Sequence, residues 1–160
     1  MSERFETRQA VFVLLQNKAG ELLLQQRAGR YLTGYYDCTS SGHVEHGESI
    51  QQTALRELEE EVGVTADESD LTLIHIDQYY LEESYINWTF VLRKWRGEPK
   101  IMEPDKCSDL RYFKPGQLPE KCVNNLRAVA RAGFTDELTY SVTNFENYQA
   151  LMGEPFVLGK

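Results

Sequence analysis

The chain has 160 residues, 41% of them hydrophobic and 26% charged, which suits one soluble globular domain with a sizeable core. A formal charge of −8 argues against a nucleic-acid polymer as partner, because such binding needs basic patches that neutralise phosphates. No run approaches the roughly 18 consecutive apolar residues of a membrane span.

The first residues, MSERFETRQ, lack the apolar run of a signal peptide. Cys38, Cys107 and Cys122 are an odd set without framework spacing, so they read as reduced thiols of a cytoplasmic protein. Residues 9–15, QAVFVLL, predict a buried central strand, and 21–27, ELLLQQR, a second one. The turn residues of Asn17 to Gly20 between them predict a hairpin. Arg27 and Arg30 follow the second strand. Residues 31–41 have turn and polar character and end in a short strand, Asp37 to Ser41, that delivers Gly42. A glycine there lets the backbone approach a ligand closely.

Ser49 and Gln52 have the spacing of a capping box, and Gly63 suits the residue just past a helix end, so a helix is predicted from Ile50 to Val62. Ile50, Ala54, Leu58 and Val62 repeat every four residues as an apolar ridge. Glu57, Glu60 and Glu61 stack on another face, about a quarter turn away, outside the core. Like charges so spaced repel by about 0.2–0.5 kcal/mol per pair, and a divalent cation reverses that sign. Carboxylates with no His or Cys among them suit a hard ion, Mg²⁺ or Mn²⁺. His43 and His46 fall short of a zinc set because no further His or Cys accompanies them.

Beyond the helix, Thr65 to Asp70 reads as a polar loop, and Leu71 to Tyr80 and Tyr85 to Trp95 as two strands. In the second, Ile86, Trp88, Phe90 and Leu92 alternate with Asn87, Thr89, Val91 and Arg93, so one face packs on the core. The other, with Tyr79 and Tyr80 nearby, is placed to line a pocket or to be plain core. Residues 97–109 form a charged Gly/Pro loop, Leu110 to Phe113 a short strand, and Pro119 opens a helix reaching about Ala132. Residues 135–160 show no clear period until NFENYQALMG, a short helical stretch.

Gly42, Glu48, Arg56, Glu57, Leu58, Glu60, Glu61, Gly63 and Val64 reproduce, gap for gap, the G-x5-E-x7-R-E-U-x-E-E-x-G-U signature of the Nudix hydrolases, where U is a bulky aliphatic residue. The chain is thus identified as a member of that family, with MutT-like character. The resemblance implies an α/β fold, an α/β/α sandwich with a mixed central sheet, in residues 1–134, with 135–160 as an extension of the same domain. It implies Mg²⁺, with Mn²⁺ as substitute, held by Glu57, Glu60, Glu61 and the Gly42 carbonyl. Arg56 then orients the glutamates, and Glu48 supports the loop or, through water, the metal shell. The segment Glu103 to Cys107, EPDKC, resembles a stretch of mononucleotide-hydrolysing members, which assigns Glu103 to metal or water and adds Lys106 to the substrate contacts. Glu60 and Glu103 both stay open as general base. Arg27 either meets substrate phosphates, as a basic residue there often does in the family, or is a solvated arginine; Tyr79 is assigned to substrate.

The implied chemistry is attack by water on a phosphorus of a diphosphate linkage, with a nucleoside triphosphate, plain or modified, giving the monophosphate and pyrophosphate. Tyr79 and Tyr80 also resemble the tyrosine spacing of dinucleoside polyphosphate hydrolases, and a nucleotide sugar stays open too. The proline of many ADP-ribose hydrolases is absent at Gln78, and Ser40 and Ser41 stand where isopentenyl diphosphate isomerases carry cysteine. A nucleotide sensor without turnover is the rival of another class, although such proteins usually lose box glutamates. The expected partner is a small nucleotide or other diphosphate compound, with a homodimer open.

Overall fold

The computed structural model describes residues 3–148. Eight strands form one mixed sheet: β1 Arg8–Gln16, β2 Leu22–Arg27, β3 Tyr36–Asp37, β4 Ser40–His43, β5 Leu71–Tyr80, β6 Ser84–Leu92, β7 Cys107–Phe113 and β8 Thr139–Asn144. The path runs β3-β2-β1-β6-β5-β8, with β4 also on β1 and β7 on β2. Pairings β1–β6 and β5–β8 are parallel, and the rest are antiparallel.

The apolar run of β1 is continuous because both of its faces are covered, as in central strands generally. Val11, Val13 and Leu15 join Leu58, Val62 and Phe90 beneath α1, Ile50–Val62. Leu14 points the other way, to Leu24, Val91, Leu126 and Val129 beneath α2, Asn124–Ala132. The result is the expected α/β/α sandwich. Along its own length β1 changes partner, pairing with β4 at Ala10–Val13 and with β2 at Leu15 and Gln16. Thr39 fills the split: its Oγ1 accepts from the Leu15 amide and donates to the Leu23 carbonyl. This division also explains why the single predicted strand at 37–41 is two, since β3 pairs with β2 and β4 with β1.

Helix α1 has the predicted bounds. Ser49 accepts from the Gln52 amide, Gln52 reaches back to the Ser49 amide, and Gly63 closes the helix at φ 71° in the left-handed region. Burying Leu58 and Val62 is worth about 1.5–3 kcal/mol each, several times the repulsion of a like-charge pair on the helix surface. Docking therefore wins, and the helix carries its stacked glutamates to the sheet.

Three expectations change. The helix expected from Pro119 starts at Asn124, because the chain before it is committed to the sheet edge: Tyr36 donates to the Lys121 carbonyl, and the Val123 amide donates back to Tyr36. The strand expected to reach Trp95 ends at Leu92, and Arg96 bridges Thr65 instead. Residues 139–144, read without a period, form β8 on the edge of β5. Residues 145–148 make a helical turn, and the rest of the helical stretch expected there lies outside the described residues. Among the described residues no helix is long and apolar enough to cross a membrane.

Ser49→Ala removes one half of the capping box. The expected loss is about 1 kcal/mol, a drop in thermal midpoint of about 2–4 °C at this chain length, readable by differential scanning calorimetry.

Candidate active site

The site is built where the C-terminal half of α1 meets β4. Glu57 and Glu61, one turn apart, face the strand, and Glu60 points outward. The exposures divide them: the Glu60 side chain is 55% accessible and that of Glu57 only 13%. Glu61 departs from the expectation that all three acids stand clear of the core. Its Oε2 accepts from Gln25 Nε2 at 2.9 Å and from the Ser41 amide at 3.4 Å. Burial, with Glu57 and Asp37 adding like charge, pushes its carboxyl up to about 8. Burial also raises the Glu57 carboxyl, although the Arg56 guanidinium pulls the other way.

Arg56 is the hub. Its Nε and Nη2 meet the two Glu48 oxygens at 2.7 and 3.1 Å, a bidentate pair. Its Nη1 reaches Glu57 Oε1 at 2.8 Å and Glu60 Oε2 at 3.4 Å, and Nη2 also donates to the His43 carbonyl at 3.3 Å. Arg56 holds Glu48 well below the usual carboxylate range, at about 2, with Thr53 donating to the same carboxylate. Gly42 is needed for a steric reason: a Cβ there would stand 2.0 Å from Glu57 Oε1. The carboxylate occupies the space a side chain would take.

Glu103 and Lys106 line the same cleft, which measures about 470 Å³, and pair with each other at 2.9 Å. The acidic donors of this cleft are the carboxylates of Glu57, Glu60, Glu61 and Glu103, in keeping with a hard divalent cation. Ionised, Glu61 would add its charge to those of Glu57 and Asp37, and such an ion would offset it. Among the described residues no three His, Cys, Asp or Glu side chains converge on one point. Glu57 and Glu60 turn to Arg56, and Glu61 to Gln25.

A second cavity, of about 770 Å³, lies on the other side of Gly42 and shares Arg27, Ser41, Gly42 and His43 with the cleft. Its size is that of a small-molecule site. The His43 ring stacks on Tyr85 at 5.6 Å between the two spaces. Tyr79 is on its wall; Tyr80, the next residue of the strand, points to the opposite face and meets Phe5. Asn87 and Asn125 are also on its wall, both buried, and Asn125 Oδ1 has no partner although Nδ2 donates to Thr89.

Arg27 sits at the junction, neither solvated nor wholly available. Its Nη1 pairs with the buried Asp37 at 3.0 Å, and its Nε donates to the Tyr31 carbonyl at 2.9 Å. The structure thus gathers Gly42, Arg56, Glu57, Glu60, Glu61, Glu103, Lys106 and Arg27 around one cleft, and Tyr79 in the adjoining cavity. Sequence reasoning missed Gln25, Asp37, Asn87 and Asn125. The signal for Asn87 was a polar residue inside an apolar strand, and for Asn125 an Asn pair just before an apolar helical stripe.

Comparison with known proteins bears on this geometry. The model described as NUDIX domain matches residues 6–133. An uncharacterized Nudix hydrolase of Pseudomonas aeruginosa is 30% identical over 118 residues, covering 72% of this chain and 68% of that protein. An NAD-capped RNA hydrolase of Stutzerimonas stutzeri is 32% identical over 114 residues, a match that spans 67% of this chain but 37% of that protein. Among solved structures, a MutT NUDIX hydrolase from Burkholderia pseudomallei superposes with a TM-score of 0.71 at 22% identity, over 78% of this chain and 96% of that one. That likeness is one of fold.

The raised Glu61 carboxyl has a consequence for stability. An acid whose folded pKa, about 8, exceeds its unfolded value contributes stability at low pH that is lost as pH rises through about 8. In chelator-treated protein at pH 8, Glu61→Gln should therefore raise the thermal midpoint, and the gain should vanish at pH 4. Equal midpoints of parent and variant across that range would contradict the burial of a charge at this position.

Proposed function

The chain belongs to the Nudix hydrolases, enzymes acting on phosphorus-containing anhydrides, and from that premise we propose that its substrate is a nucleoside triphosphate, plain or modified, hydrolysed to the monophosphate and pyrophosphate with Mg²⁺. One observation carries the reading: the acidic cleft at Glu57 and Glu61 opens at Gly42 into a cavity that is aromatic and amide-lined. A diphosphate seated at the carboxylates therefore has room for a nucleoside beyond it. Such a molecule spans both spaces, past Arg27.

Hydrolysis joins a water oxygen to one phosphorus, breaks a P–O bond of the anhydride, and transfers the water proton to a base. Catalysis of such reactions is mostly positioning and charge neutralisation. Bound to the cleft, Mg²⁺ supplies Lewis-acid neutralisation of the phosphate oxygens. Glu57 and Glu61 are its first ligands, with Glu60 and the Gly42 carbonyl completing the protein's share. Arg56 positions Glu57 and Glu60 and need not touch substrate. Glu103 is the better general base: it lines the cleft from a loop outside the helix and is positioned there by Lys106 at 2.9 Å. Glu60, although it lines the cleft, is exposed and paired with Arg56. Lys106 and the free edge of Arg27 face the phosphates, and Tyr79 and Asn125 meet the base.

A dinucleoside polyphosphate is the second reading, favoured by the size of the Tyr79 cavity. It accords with the dinucleotide-derived cap in the name of the Stutzerimonas relative. Product analysis with Mg²⁺ across nucleoside triphosphates, dinucleoside polyphosphates and nucleotide sugars separates these substrates. Pyrophosphate release from a triphosphate is the expected result. Tight binding without turnover of any compound would mean a sensor.

Two variants test the assignments. Glu57→Gln should lower kcat at least about 100-fold, on the order of the loss when a charge-stabilising group is removed, at an unchanged thermal midpoint. Gly42→Ala should fold, because the obstructed atoms are the movable end of Glu57, yet lose activity and Mn²⁺ affinity in parallel. Retained Mn²⁺ affinity in both variants would remove Glu57 from the metal site.

A further inference from the structure

Strand β8 is fixed to β5 by more than its backbone. His75 Nδ1 meets Thr139 Oγ1 and His75 Nε2 meets Ser141 Oγ, each at 2.8 Å. Ser141 and Thr143 donate to Asp77 Oδ1 at 2.6 and 3.1 Å. His75, Asp77 and Thr143 are all buried. A buried polar ladder of this kind specifies register, because any slip leaves its members unpaired. Hydrolysis has no use for it. What it does fix is the chain that follows. Asn144 Oδ1 accepts from the amides of Glu146 and Asn147, and Asn147 Nδ2 donates to the Val142 carbonyl at 2.7 Å. The resulting turn sets Phe145 and Tyr148 on the wall of the large cavity.

Tyr148 does not stand there alone. Tyr31 enters from the loop between β2 and β3, held by the Arg27 guanidinium 5.5 Å above its ring. Tyr79 enters from β5. Tyr31, Tyr79 and Tyr148 all line that cavity. Three rings from three separate segments thus border one space, whose inner wall carries the amides of Asn87 and Asn125. Aromatic side chains around a space with amides on its inner wall suit a planar heterocycle with a hydrogen-bonding edge.

We propose that Tyr31, Tyr79 and Tyr148 form an aromatic clamp for the base of the substrate, and that residues 139–148 are the strap that brings the third ring to it. The proposal rests on the nucleotide reading given above and adds to it a specificity role for the C-terminal part of the fold. Tyr148 is a determinant of affinity for the base and is distant in role from the carboxylates.

The test uses full-length protein, the variants Tyr148→Ala and Tyr148→Phe, and two probes. Guanosine and adenosine monophosphates report on the clamp by calorimetric titration; inorganic tripolyphosphate, as a competitor, reports on the cleft alone. Loss of one stacking partner should raise the nucleotide Kd of Tyr148→Ala on the order of 10-fold, with the tripolyphosphate Ki unchanged. Tyr148→Phe, which keeps the ring, should bind as the parent does and serves as the check on folding. An unchanged nucleotide Kd in Tyr148→Ala overturns the clamp, as does equal weakening of both probes. Because titration needs no turnover, the two proposals fail separately. Nucleotides bound through Tyr148 but never hydrolysed remove the hydrolytic substrate and keep the clamp. A diphosphate hydrolysed by a protein that binds neither monophosphate removes the clamp and keeps the hydrolase.

Discussion

The structure depends on how four glutamates and one arginine share the end of a helix. Arg56 spans Glu48, Glu57 and Glu60, and Gly42 gives up a side chain so that Glu57 can lie against the strand. Each contact limits where a carboxylate oxygen can point. Glu57 Oε1 is held by the guanidinium, and Glu61 Oε2 takes both the Gln25 and the Ser41 donors. One oxygen of each acid is thereby tied to the protein, which leaves the other for the cleft. Acids so placed are costly to bury unless their charge is met, and burial is the largest cause of the raised carboxyls at both positions.

The sheet converts this local arrangement into a two-part site. Side chains alternate across a strand, so neighbouring positions serve opposite layers. On β1, Val13 supports the α1 layer and Leu14 the α2 layer. The carboxylate cleft grows from the first layer and the large cavity from the second. They meet at β4, where Ser41, Gly42 and His43 border both. An extended anionic molecule can therefore cross from one to the other only past Arg27, whose charge is partly matched by the buried Asp37.

Stability and function divide along the same line. The buried polar groups beneath the edge strand are not all satisfied, since Asp77 Oδ2, like Asn125 Oδ1, has no hydrogen-bond partner among the described residues. His75, Asp77, Ser141 and Thr143 are joined to one another and hold the edge strand. Asn125 keeps an oxygen without a partner at the cavity wall. The hydroxyl contacts of the ladder fix the position of the edge strand.

Helix α1 could be read from the chain because everything that defines it is local: a capping box, a left-handed glycine and a four-residue apolar repeat lie within 15 residues. The stacking of the acidic side chains was legible for the same reason, since residues one turn apart on a rigid helix must share a face. Glu103 and Lys106 could be marked by their likeness to a family motif. Other features were not local. Lys121 to Val123 looked helical in isolation and was taken by the sheet edge through Tyr36. β8, a polar run with hydroxyls at alternate positions, becomes a strand because His75 and Asp77, over 60 residues away, receive those hydroxyls. The burial of Glu61, the pairing of Arg27 with Asp37, and the joining of Tyr31, Tyr79 and Tyr148 around one cavity depend likewise on strands distant in sequence. The chain by itself determined the chemistry of the acidic helix, because short-range spacing dictates which side chains meet there. Only the tertiary structure decided what faces that helix and what lies beyond it, because those neighbours are set by strand register and by which layer each side chain enters.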